Sequence, residues 1–174
     1  MGGEDLPMSE LVEKIYADCA LNQGPRYLER FLAMHARGDD GAIVVPLRAP
    51  LAIAGMRADL EKSVEFVFSR VRTGADMIPK IAVRWEPVDG GPFPTFEGTV
   101  SIEGDEDYTR CAVVLRGNYE PPLGIAGKTF DAAVGGRIAR ATAREFLERI
   151  REFIEAAYRA TERAKKARER GFDG

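Results

Sequence analysis

Histidine and cysteine are scarce in this chain of 174 residues, which holds one histidine, His35, and two cysteines, Cys19 and Cys111. A His-pair metal site or a Ser-His-Asp triad would have to rest on His35 alone, and His35 has no carboxylate or nucleophile at a telling spacing. Cys19 and Cys111 stand too far apart in sequence for a metal-ligand motif, and two thiols make no disulfide framework. A basic excess is missing too. The 25 Lys and Arg residues face 28 Asp and Glu, for a net charge of −3, and the isoelectric point is about 5.4. Non-specific nucleic-acid binders usually carry a basic domain with a pI above about 9, so the charge argues against nucleic acid as a partner. No apolar run approaches the ~18 residues of a membrane span. The segment Met1–Pro7 lacks the apolar core of a signal peptide, and Leu6 stands where a myristoylation signal carries Ser or Thr, so the expected setting is the cytoplasm.

What is present is ordinary for a globular protein. Hydrophobic residues make up 45% and charged residues 30%, which suits one domain with a core of its own. The expected organisation is a leader over 1–8, one domain over 9–158, and a charged helix end and tail over 159–174. The 18 glycines and 10 prolines imply many turns and several short strands.

Hydrophobic periodicity predicts the elements. Ser9 to Leu21 reads as a helix, with Ser9 as N-cap and Leu11, Val12, Ile15 and Cys19 at helical spacing. Arg26 to Ala36 reads as a second short helix, with Leu28, Phe31, Leu32 and His35 on one side. Ile43-Val44-Val45 reads as a short strand ended by Pro46. Lys62 to Arg72 fits a helical stripe or a strand face; its Val-Glu-Phe-Val-Phe run favours strand. Lys80–Glu86, Phe96–Glu103 and Tyr108–Tyr119 alternate apolar and polar residues, and their short connections predict an antiparallel meander. From about Thr129 to Arg168 there is no proline, and the apolar period is helical. The class predicted is α+β: a curved antiparallel sheet covered by one long C-terminal helix, with two short N-terminal helices.

The long helix has two chemically different halves. Ala132 to Ala143 is mostly small residues and includes the adjacent pair Gly135-Gly136. Phe146 to Tyr158 is rich in large ones. Two glycines inside a helix each cost about 1 kcal/mol relative to alanine, so something should offset them. Either the helix closes tightly on the sheet there, or the small residues leave an apolar space. In the second case Phe68, Trp85, Phe96 and Leu115 would line it, with Phe130, Val134 and Ile138 from the helix segment and Tyr119 as a polar handle.

Several segments resemble one family: Arg84-Trp85-Glu86-Pro87, Phe93-Pro94-Thr95-Phe96-Glu97-Gly98, and Leu115-Arg116-Gly117-Asn118-Tyr119-Glu120-Pro121-Pro122-Leu123-Gly124. Gly127, Asp131, Gly136-Arg137-Ile138-Ala139 and Ala141-Thr142 follow. Over roughly residues 60–158 the chain resembles bacterial members of the START/polyketide-cyclase (SRPBCC) superfamily. The resemblance implies a helix-grip fold with a hydrophobic cavity between sheet and helix. The superfamily includes lipid and sterol carriers, hormone receptors, aromatic cyclases and chaperone regulators, so fold alone does not decide function. Its members commonly begin with a strand, then two helices; the N-terminal third departs from that order.

Binding or carrying of a small hydrophobic, lipid- or polyketide-like molecule is the leading expectation. A cyclase or dehydratase is one alternative. It would draw on Arg84, Arg116, Tyr119 and Asp131, each of which has a simpler role. Asp131 suits the first turn of a helix, the two arginines sit at strand positions that face water, and Tyr119 can anchor a strand end. The other alternative is an interaction module, including a homodimer, built on the projecting helix. No cofactor or metal is implied, because the glycines between Pro121 and Gly127 match neither a Walker nor a dinucleotide fingerprint. The Arg159–Arg170 segment carries a local charge of +4, which suits a helix C-terminus with Glu155–Arg159 and Glu162–Lys166 pairs.

Overall fold

The computed structural model describes residues 9–37, 40–53, 56–71, 79–90, 93–105, 110–120 and 132–170. Nine elements follow in chain order: β1 Ser9–Ala17, α1 Gly24–Met34, β2 Ala36–Arg37, β3 Asp40–Ile53, β4 Met56–Val71, β5 Lys80–Pro87, β6 Thr95–Gly104, β7 Cys111–Glu120 and α2 Ala132–Arg170. The strands form one sheet in the order β1-β7-β6-β5-β4-β3-β2. Every pairing is antiparallel. The meander predicted for β5, β6 and β7 is present and extends back through β4, which confirms strand over helix for the segment after Lys62.

The N-terminal prediction is corrected. Ser9–Ala17 is a strand, not a helix, so one helix, α1, stands where two were expected. The register explains it: Leu11 lies opposite Gly117, Ile15 opposite Val113 and Ala17 opposite Cys111. Leu11 and Ala17 are buried, whereas Val12, which the helical pattern needed inside, is 48% exposed. Without β1 the inner strand β7 would present an unpaired edge, and edge pairing outweighs a weak local helical preference. With this strand first, the order is the strand-first one that the resemblance implies, with a single described helix after it.

Pro46 does not end its strand either. β3 continues through Pro46 and Pro50 to Ile53, paired throughout with β4. β2 covers only Asp40 and Gly41 of β3, so most of β3 is an edge strand, where a missing N–H is tolerated. β4 meets β5 only from Val64 to Val71. The distal half of the β3–β4 hairpin therefore runs past the rest of the sheet as a two-stranded ribbon.

α2 lies across the concave face of the sheet. It has 39 residues and is about 58 Å long at 1.5 Å per residue. Its buried stripe is Ile138, Ala139, Thr142, Ala143, Phe146, Leu147, Ile150 and Ile154, which recur at the 3–4-residue spacing of one helical face. Thr142 is reconciled with burial by donating its hydroxyl to the Ile138 carbonyl oxygen at 2.8 Å. Ion pairs clasp the edge strand to this helix: Glu13 of β1 meets Arg144 at 3.1 Å and Arg140 at 4.0 Å. Glu155 accepts the backbone N–H of Asp18 at 3.2 Å.

α1 covers the other end of the sheet and packs against α2. Tyr27 and Phe31 face Tyr158 and Phe153 with ring centroids 6.5 and 5.6 Å apart. Beyond this contact the helix runs on, and residues 163–170 are exposed. Of the two predicted tail pairs, Glu155–Arg159 is present at 3.6 Å. Glu162 pairs instead with Lys165, one residue closer, at 2.6 Å.

Candidate functional site

The register aligns four aromatic residues at one level of the sheet. Tyr119 of β7 lies opposite Phe96 of β6. Phe96 lies opposite Trp85 of β5, and Trp85 opposite Phe66 of β4. All four are buried on the face toward α2. Trp85 stacks on Phe96 with centroids 4.1 Å apart and an interplanar angle of 11°, and Phe66 lies 5.5 Å from Trp85. Across the interface, Phe146 of α2 stacks on Phe66 at 4.5 Å and 9°. Such stacked pairs contribute about 0.5–1.5 kcal/mol each beyond the area they bury.

Two glycines shape the floor beside this row. Gly98 and Gly117 face each other across β6 and β7. A Cβ on Gly98 would collide with the carbonyl oxygen of Arg116, and one on Gly117 with that of Glu97. The ring of Phe96 lies over both, its Cζ 2.6 Å from either ideal Cβ position. The backbones can approach closely here only because both residues lack a side chain, and Phe96 covers the gap.

The small-residue half of α2 meets the row at Tyr119. A Cβ at Gly136 would sit 3.0 Å from the Tyr119 hydroxyl oxygen and 3.8 Å from Cζ. Gly136 is thus a close-approach position, which answers why a glycine is kept inside the helix. The Trp85 indole N–H is already committed, donating to the Pro94 carbonyl oxygen at 3.2 Å. The buried polar side chains Ser101 and Thr142 are occupied by Glu103 and the Ile138 carbonyl. The Tyr119 hydroxyl has no hydrogen-bond partner among the described residues.

The predicted lining is brought together in part. Phe68, Trp85, Phe96, Leu115, Tyr119 and Ile138 are all buried in one core. Phe130 and Asp131 lie outside the described residues. Val134 falls near the start of α2, but its side chain lies outside the described set. Phe66 and Phe146 are absent from the lining that the sequence suggests, yet they carry the stack from sheet to helix. Only the strand register reveals their place, because neither has a distinctive sequence context.

The groups considered for catalysis are placed elsewhere. Arg84 and Arg116 are exposed on the outer face. Arg116 forms a two-point ion pair with Glu103, including a contact of 3.0 Å from Nη2 to Oε2. The arginine holds the Glu103 carboxyl below its usual pKa, and the carboxylate raises that of Arg116. His35 donates its Nδ1–H to the Phe31 carbonyl oxygen at 2.8 Å and packs on Phe31 at 4.8 Å, which is a structural role. A separate open groove of about 410 Å³ lies between α1 and α2, lined by Arg26, Tyr27, Glu29, Arg30, Ala33 and Thr161. It is distinct from the aromatic row, and its Tyr27 hydroxyl is bonded to Gln23 at 3.1 Å and Thr161 at 2.9 Å.

Among the described residues no helix is long and apolar enough to cross a membrane, and no cluster of three or more His, Cys, Asp or Glu is placed to hold a metal. An antiparallel sheet packed on a long C-terminal helix, with α1 between the first two strands, is a helix-grip arrangement of the α+β class. Solved structures align with the chain at low identity. A crystal structure of TTHA0849 from Thermus thermophilus is 16% identical and aligns over 86% of this chain and 99% of that one, with a TM-score of 0.49. A START superfamily protein from Mycobacterium smegmatis is 12% identical over 87% and 98% of the two chains, with a TM-score of 0.45. A conserved protein from Geobacillus kaustophilus is 17% identical over 86% and 97%, with a TM-score of 0.48. No family model and no curated protein matches the chain. The assignment of fold rests on this chain's own strand order and helix placement.

Proposed function

We propose that the chain binds a small hydrophobic molecule between the sheet and the small-residue half of α2. The observation that carries the proposal is the pairing of the row Phe96–Trp85–Phe66 with one uncommitted polar group, the Tyr119 hydroxyl, beside Gly136. Apolar walls with a few placed polar groups are the usual make-up of a ligand site. The ligand class this supports is an elongated lipid- or polyketide-like molecule with one hydrogen-bonding end at Tyr119. Binding is favoured over cyclase or dehydratase chemistry because Arg84 and Arg116 point away from the interior. Native mass spectrometry of the purified chain is the test. Lipophilic masses retained by the folded protein support the proposal. Apoprotein alone, even after incubation with long-chain fatty acids, refutes it.

A second reading rests on the exposed end of α2. Residues 163–170 project past α1 with excess positive charge, and such a helix end can pair with a second copy or another protein. Sedimentation of the chain with and without those residues distinguishes the two readings: loss of a dimer on truncation supports the interaction role, and a monomer in both cases excludes the homodimer.

A further inference from the structure

Cys19 and Cys111, remote in sequence, meet in the fold. The backbone N–H of Cys111, the first residue of β7, donates to the carbonyl oxygen of Cys19 at 3.2 Å. Cys19 lies just past the end of β1, two residues beyond Ala17, the strand partner of Cys111, and this single bond brings the two backbones into direct contact, as a disulfide with its ~4.4–6.8 Å Cα spacing requires. Both thiols are free and buried, at 3% and 0% exposure. The proximity of the two side chains pushes the pKa of the Cys19 thiol up and lowers that of Cys111. Their other contacts are weak neutral ones: Cys19 Sγ to the Ala20 carbonyl at 3.4 Å and Cys111 Sγ to the Ala17 carbonyl at 3.8 Å.

A short turn covers the pair. Gln23 N–H and Gly24 N–H both donate to the Ala20 carbonyl, at 2.9 and 3.2 Å. A Cβ on Gly24 would lie 3.3 Å from both Cβ and Sγ of Cys111. The β1–α1 turn, held by two hydrogen bonds, therefore packs directly against Cys111, and turns of this kind open more readily than the core.

We propose that Cys19 and Cys111 are an oxidation site, at which a hydroperoxide closes an intramolecular disulfide that ties the β1–α1 turn to the start of β7. Cys111 as thiolate attacks the peroxide, breaking the O–O bond; it becomes a sulfenic acid, and the leaving oxygen departs with the proton the thiol gave up, as water from hydrogen peroxide or as the alcohol from an organic hydroperoxide. The Cys19 sulfur then attacks the Cys111 sulfur, forming the S–S bond, and the sulfenic oxygen leaves as water with the Cys19 proton. With hydrogen peroxide, two thiols and one peroxide give one disulfide and two waters.

Treatment of the full chain with hydrogen peroxide, followed by non-reducing peptide mass mapping, tests the proposal. The expected result is a linked Cys19–Cys111 peptide, an intact mass lower by two hydrogens, and reversal by dithiothreitol. Closing a loop of about 90 residues should also raise the melting temperature by about 5–15 °C. Cys19→Ser and Cys111→Ser should each abolish the rise. If either variant fails to fold, the peptide map of the unaltered chain still decides. Thiols that stay free while a cysteine peptide in the same tube oxidises would overturn the proposal. So would sulfinic acid at one cysteine, disulfides only between chains, or a linked peptide with no change in melting temperature.

Discussion

The contact between Gly136 and Tyr119 makes a prediction that can be worked through in numbers. An ideal Cβ at Gly136 lies 3.0 Å from the Tyr119 hydroxyl oxygen and 3.8 Å from Cζ. The first distance is tight by a few tenths of an ångström; the second is ordinary contact. Replacing a mid-helix glycine by alanine contributes about 1 kcal/mol through backbone entropy. Crowding the hydroxyl opposes that gain with a cost of similar size, at the lower end of what overpacking brings. Gly136→Ala alone should therefore change stability by less than about 0.5 kcal/mol. In a Tyr119→Phe background the crowding oxygen is gone, and the same substitution should stabilise by about 1 kcal/mol. A double-mutant cycle read from urea unfolding midpoints, at unchanged slope, should give a coupling of about 0.5–1 kcal/mol. Equal effects of Gly136→Ala in both backgrounds, within about 0.3 kcal/mol, would show that the helix does not rest on Tyr119.

Other consequences follow from the same geometry. Phe146→Ala removes the ring stacked on Phe66 and should cost about 3–5 kcal/mol in urea unfolding; a cost below about 1 kcal/mol would mean that the stack does not join sheet to helix. Gly98→Ala forces a Cβ into the Arg116 carbonyl and should destabilise by more than about 3 kcal/mol, far more than Gly136→Ala, because backbone cannot swing aside as a hydroxyl can. The lowered pKa of Glu103 has a defined pH signature. Its contribution is fully present above the unfolded value near 4.3 and is lost as pH falls through the lower folded value. The pair is partly exposed, so the effect should be below about 1 kcal/mol. Glu103→Gln should remove it, narrowing the stability difference between about pH 6 and about pH 3 relative to the unaltered chain.

The fold is legible from sequence where one periodicity dominates. Lys80–Glu86 and Phe96–Glu103 alternate strictly, and the proline-free run after Thr129 repeats at helical spacing, so β5, β6 and α2 follow directly. β1 is mistaken for a helix because Leu11 and Ile15 satisfy both periods. Only pairing with β7, formed some hundred residues later, selects the strand. β3 is cut short because Pro46 ends a central strand but not an edge strand, and edge position is a property of the assembled sheet. The core residues Trp85, Phe96, Leu115, Tyr119 and Ile138, proposed to line the site, are visible as large apolar residues on predicted faces. The alignment of Tyr119, Phe96, Trp85 and Phe66 in one row depends on register, which local sequence does not encode. The meeting of Cys19 with Cys111 is equally hidden, since it follows from the turn after β1 lying against the first residue of β7.

The central claim, a hydrophobic ligand held against the aromatic row, is tested most directly through Trp85, the single tryptophan of the chain. Bromine quenches indole emission only near contact, so titration with a brominated long-chain fatty acid reads occupancy beside this residue. The account predicts saturable quenching at micromolar ligand, with binding weakened when Tyr119→Phe removes the polar handle while the protein remains folded. Trp85 emission unchanged up to the onset of micelle formation, or quenching unaffected by Tyr119→Phe, would contradict it.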